Sequence, residues 1–307
     1  MYFPYLRGRQ YELLALRELV AKGLLSNRII PIIEPVKLTA TLIKTMAEFK
    51  AKGHKLSVIE NPSVGSFFNE VKGTNRNSYK EDFFGLFEED NIIKAHILKK
   101  ESFKRFHGVK KGDWLIINTN RDLLDAYEKE FKNDSPKYVL IPDERTFRRK
   151  VNRPRILLED KFEKQIRNAD YIHCTDEFFS DDHLYYHDDG FDGFADYSVI
   201  GNEFSEVGFA PYAVAIHIVY FSDDDSLRIK HFVSDSNDDI INPAKKFYEA
   251  VKKIAKWHQT EKMEETEGLR IFLRHYEEQT YPGLGNVKKL SIMHHLELIG
   301  RYLDEED

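Results

Sequence analysis

The sequence predicts an α/β chain built as a TIM-like (β/α) barrel with an added β-hairpin and C-terminal helices, and three observations carry that expectation. Short apolar, β-branched runs recur and close on polar or acidic residues. Segments with helical spacing of apolar side chains separate most of them. Beyond Asn242 the pattern turns helical throughout. Nearly continuous apolar runs are how strands buried on both faces of a parallel sheet read, and parallel neighbours need crossover connections, usually helices.

Eight runs fit: Tyr2–Leu6, Ile29–Val36, Leu56–Asn61, Ile92–Leu98, Trp114–Thr119, Tyr138–Asp143, Arg155–Asp160 and Tyr171–Asp176. Closing eight such strands on themselves removes both sheet edges, which favours a barrel over the alternative, a doubly wound open sheet. Leu13, Leu16 and Val20 share a helix face within Gln10–Leu25, with Gly23 as a stop signal. Leu42, Met46 and Phe49 do the same in Thr39–Lys52, which ends at Gly53. Shorter helices are expected at Tyr79–Glu89, Ser102–Phe106, Arg121–Phe131 and Glu163–Asn168.

Three further segments read as strands: Phe194–Ile200, Ala213–Phe221 and Leu227–Val233. The last two alternate around Ser222–Ser226 and form an antiparallel hairpin. Either the first run is not a barrel strand, or a hairpin follows the barrel. The expected division is a barrel core over 1–210, a hairpin over 211–242 and a helical segment over 243–307. In that segment Phe247, Val251, Ile254 and His258 form one stripe, and Leu269, Phe272 and Tyr276 a second. Leu290, Met293, Leu296, Ile299 and Leu303 form a third, and all three need a surface to cover.

With 307 residues and 41% hydrophobic content, the chain is long enough for a large core without disulfides or structural metal. Cys174 is the single cysteine, so no intrachain disulfide forms. The start carries no signal-peptide pattern and no run approaches a membrane span, so a cytoplasmic setting without membrane contact is expected. Forty-six basic against 52 acidic residues give a net charge of −6, which opposes non-specific nucleic-acid binding. The basic stretch Arg145–Arg155 reads as a solvated rim segment.

The opening Tyr2–Leu16, followed by Ile30-Pro-Ile-Ile-Glu-Pro to Pro35, resembles a family of bacterial proteins related to the phage "beta protein" group. That family shares an opening of tyrosine, proline and basic residues, a Glu-x-x-Ala-Leu helix and a Pro-x-x-Glu strand. The resemblance covers about the first 40 residues and extends to Gly193–Ser198 and His231–Asp235. It implies a role on mobile elements or in antiviral defence, often beside nuclease-like genes, and supplies no catalytic residues to carry over.

In a barrel, chemistry belongs at the C-terminal ends of the strands. The acidic residues there, Glu34, Glu60, Asp143, Glu159 and Asp176, are the catalytic candidates, able to surround a divalent ion such as Mg²⁺ or Mn²⁺ or to act as general acid and base. Glu144, Asp160 and Asp196 stand close by, and parity prevents both Asp143 and Glu144 from facing the axis. Arg7, Arg9, Asn61, Asn118 and His173 are the substrate-binding candidates, with the arginines as forks for phosphate or carboxylate. Either arginine is equally able to pair with Glu12 or Glu34.

Two functional readings follow. One is a metal-dependent hydrolase acting on a phosphorylated or nucleotide substrate in an acidic pocket. The other is a non-catalytic scaffold or regulatory partner of a co-encoded nuclease. The His183 and His187 pair, flanked by aspartates, reads as a solvated acidic loop usable as a lid over the mouth. Cys174 reads as a small buried hydrophobe, and His217, His231, His294 and His295 as structural histidines. Gly283–Gly285 is too short for a phosphate loop.

Overall fold

Apolar alternation on successive runs produces strands whose inward side chains meet on one axis. The computed structural model describes residues 1–73, 77–205, 211–261 and 264–305. In chain order the first elements are β1 (Tyr5–Leu6), α1 (Gln10–Ala21), β2 (Ile32–Ile33), α2 (Ala40–Lys52), β3 (Leu56–Ile59), α3 (Phe67–Lys72), α4 (Asn77–Phe87), β4 (Ile92–Ile97) and α5 (Ser102–Phe106). Next come β5 (Trp114–Ile117), α6 (Leu124–Phe131), β6 (Tyr138–Ile141), α7 (Arg145–Lys150), β7 (Arg155–Leu158), β8 (Asp176–Ser180), α8 (Asp182–Tyr185) and β9 (Gly193–Ala195). The last are β10 (Ala215–Phe221), β11 (Leu227–Val233), α9 (Pro243–Thr260), α10 (Glu267–Glu277) and α11 (Leu284–Glu305).

The chain divides into two compact units. The first comprises Met1–Leu13, Asn27–Asp160 and Asp182–Tyr197; the second comprises Leu14–Ser26, Lys161–Asp181 and Ser198–Asp307. The expected boundary at 210 lies outside the described residues. Residues 161–181 and 198–205, expected within the barrel core, fall in the second unit together with the expected hairpin and helical segments.

In the first unit eight parallel strands run in the order β1-β2-β3-β4-β5-β6-β7-β9. The Phe3 and Tyr5 amides donate to the Phe194 and Asp196 carbonyls at 2.8 Å each, which joins the first strand region to the last and closes the barrel. Gly193 permits this approach: a Cβ there would lie 2.7 Å from the Met1 carbonyl oxygen and 3.1 Å from the Phe3 ring. The interior is packed with Phe3, Tyr5, Ile30, Ile32, Ile59, Ile93, Ala95, Leu115, Ile117, Leu140, Ile156, Leu158 and Ala195. These are alternate residues of each strand, so the barrel has a filled core and no pore. Each large apolar side chain buried there contributes about 1.5–3 kcal/mol relative to exposure.

The eighth barrel strand is β9 and not the run Tyr171–Asp176. The first half of that run, Tyr171–His173, belongs to a 3₁₀ helix, Asn168–His173. The helix expected over Glu163–Asn168 is replaced by irregular chain leading into it. β8 begins at Asp176 and joins the second unit's sheet, of order β10-β11-β8 and antiparallel throughout. The period-two pattern is shared by both kinds of strand, which is why Tyr171–Asp176 reads as an eighth barrel strand and Phe194–Ile200 only as a further strand-like segment.

Helix starts follow local chemistry. The Thr39 hydroxyl accepts from the Leu42 amide at 3.2 Å to open α2, and Gly53, in the left-handed region, ends it. In the second unit, the helices expected after Pro243 are α9, α10 and α11. From Leu290 to Gly300 every residue of α11 is buried, so its apolar stripe is only part of what it covers.

Candidate functional site

Alternation carried one step past the barrel core decides which polar groups face the axis. From Phe3 and Tyr5 it reaches Arg7, from Ile30 and Ile32 it reaches Glu34, from Ile59 Asn61, from Leu158 Asp160, and from Ala195 Tyr197. The same rule turns Glu60, Asn118, Asp143, Glu159 and Asp196 outward. Only one of the five catalytic candidates, Glu34, is therefore axial.

Glu34 is fully buried. Tyr5 Oη donates to its Oε2 at 2.7 Å, the Ser63 amide donates to Oε1 at 2.6 Å, and Arg7 Nη1 donates to Oε2. Those bonds engage both carboxylate oxygens, and the ion pair makes Glu34 the counter-ion of Arg7. Arg7 retains 14% side-chain exposure, and the Tyr5 and Tyr197 ring centroids lie 5.2 and 5.5 Å from its guanidinium carbon. Burial lowers the Arg7 pKa, but the Glu34 charge, the Tyr5 and Tyr197 phenols and the hydrogen bond to Glu34 together outweigh it and hold the group above its ordinary value. Burial also pushes Tyr197 up to about 12, and Tyr5 well above its usual range with the help of Glu34. Both phenols stay protonated at neutral pH. Gly8, at φ +63°, lets the chain turn directly after Arg7 close to the Glu34 carbonyl.

The loop after β3 joins this group to a second one. Asn61 zips onto β4, its Oδ1 accepting from the Ile97 amide at 2.9 Å and its Nδ2 donating to the Ile97 carbonyl at 2.8 Å. Glu60 Oε1 lies 2.8 Å from His96 Nδ1, and His96 Nε2 lies 2.7 Å from Ser102 Oγ. A carboxylate accepts, so His96 carries a proton on Nδ1, and in the neutral ring Nε2 is then the acceptor for the Ser102 hydroxyl. That is the hydrogen-bond order of a nucleophile, base and orienting acid. Ser102 is 3% exposed and also accepts from the Lys99 amide at 2.8 Å, so the same hydroxyl pins the start of α5. Arg105 lies 3.4 Å from Glu60 and stacks over Trp114.

The other candidates are dispersed. Asp143 is exposed and pairs with Arg148. Glu159 is half-buried, held through its amide to the Ala195 carbonyl at 3.1 Å. Asp176 belongs to the second unit, where Tyr220, Arg228 and Lys230 donate to it at 2.8, 2.9 and 2.7 Å and hold its carboxyl below the usual range against the effect of burial. Arg9 uses its amide toward Glu12 at 3.4 Å. Asn118 is fully buried, accepting from the Asn120 amide at 3.2 Å, and its Nδ2 meets no acceptor among the described residues. His173 is exposed on the 3₁₀ helix of the second unit. The acidic residues thus do not converge: outward parity and basic partners account for those of the barrel, and the altered strand assignment for Asp176. Tyr5, Tyr197, His96 and Ser102 are site residues that sequence reasoning missed. Extending the period of two past the strand ends would have found the two tyrosines.

The expected lid lies elsewhere. Asp182 and His183 are buried, and the segment leads into the N-terminal end of β9, where Tyr186 Oη accepts from the Met1 amino group at 3.3 Å. It stands at the end of the barrel opposite the mouth.

In the second unit Cys174 is half-exposed, not a buried hydrophobe. Burial and the adjacent Glu177 charge push its thiol up, which disfavours a thiolate nucleophile. A cleft of about 510 Å³ between α9 and α10 is lined by residues of both signs, among them Glu265, Arg270, Arg274 and Glu277. Among the described residues no helix is long and apolar enough to cross a membrane. Comparison with family models, curated proteins and solved structures finds no match, so the chemistry of this chain is read from its own geometry.

Proposed function

We propose that the barrel binds a small anionic ligand, bearing a phosphate or carboxylate, at its C-terminal mouth, with Arg7 as the anchoring residue. One observation carries this reading: a guanidinium held by a fully buried carboxylate and two tyrosine rings at the axial position where barrels bind ligands. Such a fork is oriented before the ligand arrives, so little ordering entropy opposes binding. The engagement of Glu34, Glu60 and Asp143 with basic partners favours anion recognition over a divalent-ion centre of Mg²⁺ or Mn²⁺ at this mouth. The resemblance of the opening supports a setting in antiviral defence, in the reducing cytoplasm, alongside a nuclease-like partner.

A second reading rests on the Ser102–His96–Glu60 relay, whose 2.7 and 2.8 Å spacings suit acyl or phosphoryl transfer to Ser102.

The test of the main reading is thermal unfolding with inorganic phosphate or AMP against chloride at equal ionic strength. At a hundredfold excess over Kd a ligand adds about 2.7 kcal/mol of stability, a rise of a few degrees in Tm. Arg7→Lys keeps the charge and loses the fork, so the rise falls away in that variant. Absence of any rise in the wild-type chain, or an equal rise in Arg7→Lys, overturns the proposal. Loss of nuclease-partner binding in Arg7→Lys would favour the scaffold role instead.

A further inference from the structure

Three strands of the second unit place four chemistry-bearing side chains together, outside the barrel site. The β8–β11 register sets Glu177 opposite Ile229, and the β10–β11 register sets His217 opposite His231. Glu177, His231 and His217 therefore project from the same face of the sheet, since residues two apart on a strand share a face. Cys174 lies three residues before Glu177, at the end of the 3₁₀ helix, and the Thr175 carbonyl accepts from the His231 amide at 2.8 Å. The backbone ladder thus fixes the spacing of Cys174, Glu177 and His231.

The donor atoms meet. One atom from each of Cys174, Glu177 and His231 lies within 4.8 Å of the other two. His231 Nε2 is 3.1 Å from Glu177 Oε1. In a tetrahedral zinc site with bonds of about 2.0–2.3 Å, ligand atoms stand roughly 3.5 Å apart, close to the spacing of this set, and Cys174 and Glu177 are both half-exposed. The His231 side chain is buried. Its other nitrogen, Nδ1, is 2.7 Å from His217 Nδ1. Two facing ring nitrogens form a hydrogen bond only if one carries a proton. When Nε2 is a metal ligand, that proton sits on His231 Nδ1 and His217 accepts it, which fixes both tautomers. Phe162 and Tyr171 pack their rings against the pair.

We infer that Cys174, Glu177 and His231 form a zinc site, with His217 orienting the ligating imidazole. The mix of sulfur, imidazole and carboxylate selects Zn²⁺ over Mg²⁺ or Mn²⁺, which prefer all-oxygen sets. Three protein ligands leave the fourth position to water, as in catalytic zinc centres, whereas purely structural centres are closed by four.

The experiment uses the full chain, stripped with a chelator, dialysed and titrated with Co²⁺ as a spectroscopic substitute. A thiolate ligand produces a near-ultraviolet sulfur-to-cobalt band, and four-coordinate geometry produces intense visible bands. Both are expected to saturate at one equivalent and to disappear on addition of one equivalent of Zn²⁺. Cys174→Ser, at a half-exposed position, is expected to keep the wild-type circular dichroism and to lose the near-ultraviolet band. His217→Phe keeps that band and weakens Co²⁺ affinity about 10–100-fold. A wild-type spectrum without the sulfur band, a sulfur band that survives Cys174→Ser, or unchanged affinity in His217→Phe overturns the assignment.

Discussion

Replacing Glu34 with Gln removes one charge from a fully buried polar group of the barrel and changes almost nothing in shape. The carboxylate accepts from Tyr5 Oη, Arg7 Nη1 and the Ser63 amide, using both oxygens. An amide has one accepting oxygen. Turned toward Tyr5 and Arg7, it presents its NH₂ to the Ser63 amide; turned the other way, it presents NH₂ to two donors. In the milder case one charged-group hydrogen bond is lost, about 1.5–3 kcal/mol, and the others fall to roughly half strength. The Arg7 cation also loses its counter-ion in a partly buried place, and breaking such pairs costs about 3–5 kcal/mol in all. With Arg7 14% exposed, the lower end applies, about 3 kcal/mol. That is a large share of the 5–15 kcal/mol that holds typical domains together. Urea unfolding of wild type, Glu34→Gln, Arg7→Met and the double variant measures it. The expected outcome is a coupling of about 2 kcal/mol, because Arg7→Met leaves no stranded cation for Glu34→Gln to expose. Additivity within about 0.5 kcal/mol would refute the view of Glu34 as a counter-ion.

Burial lowers the pKa of His217, His231 and His294 of the second unit, and His294 is fully buried between the Thr266 hydroxyl and the Val219 carbonyl at 2.7 and 2.6 Å. Burial lowers it from 6.5 to about 4, so between those values the unfolded chain takes up a proton that the native chain refuses. Its contribution is complete above pH 6.5 and is lost as pH falls, by about 2 kcal/mol at pH 5. Denaturant unfolding at pH 7 and pH 5 for wild type and His294→Gln checks this, and an equal acid loss in both would sink it. Ser102 is expected to be labelled covalently by a fluorophosphonate only if the relay is catalytic, with labelling abolished in His96→Gln. An intact wild-type mass after prolonged exposure would leave Ser102 as a pin for α5.

Much of the barrel was legible in the sequence because seven of its strands are short apolar runs separated by helical or turn segments. The last strand was not, because the run at Tyr171–Asp176 carries the same apolar character as Gly193–Ala195. The choice between them rests on the backbone contacts of Gly193 with Met1, which no local pattern encodes. The hairpin about Ser222–Ser226 was legible from its alternation, and the structure supplies the register that sets His217 opposite His231. What stayed hidden was that β8 would run alongside it and bring Glu177 and Cys174 to the same place. At the mouth, Arg7 and Glu34 were visible as candidates, and their mutual pairing was one of the alternatives the residues themselves offered. Glu60 was visible as an acid, but its outward face toward His96 depends on parity counted from Ile59.

The closure between the first and last barrel strands has a kinetic side. Tyr2 and Phe3 find their final neighbour only when Phe194 is present, a separation of more than 190 residues. During synthesis at about 5–20 residues per second, the first strand waits roughly ten seconds or more for its last neighbour, and the seven strands complete at Leu158 wait about 2–7 s with two exposed edges before Gly193 emerges. Such edges attract foreign strands. The arrival of Gly193–Asp196 is therefore the step that converts an association-prone open sheet into a protected one, and chains truncated before it are the species on which cellular holding factors would act.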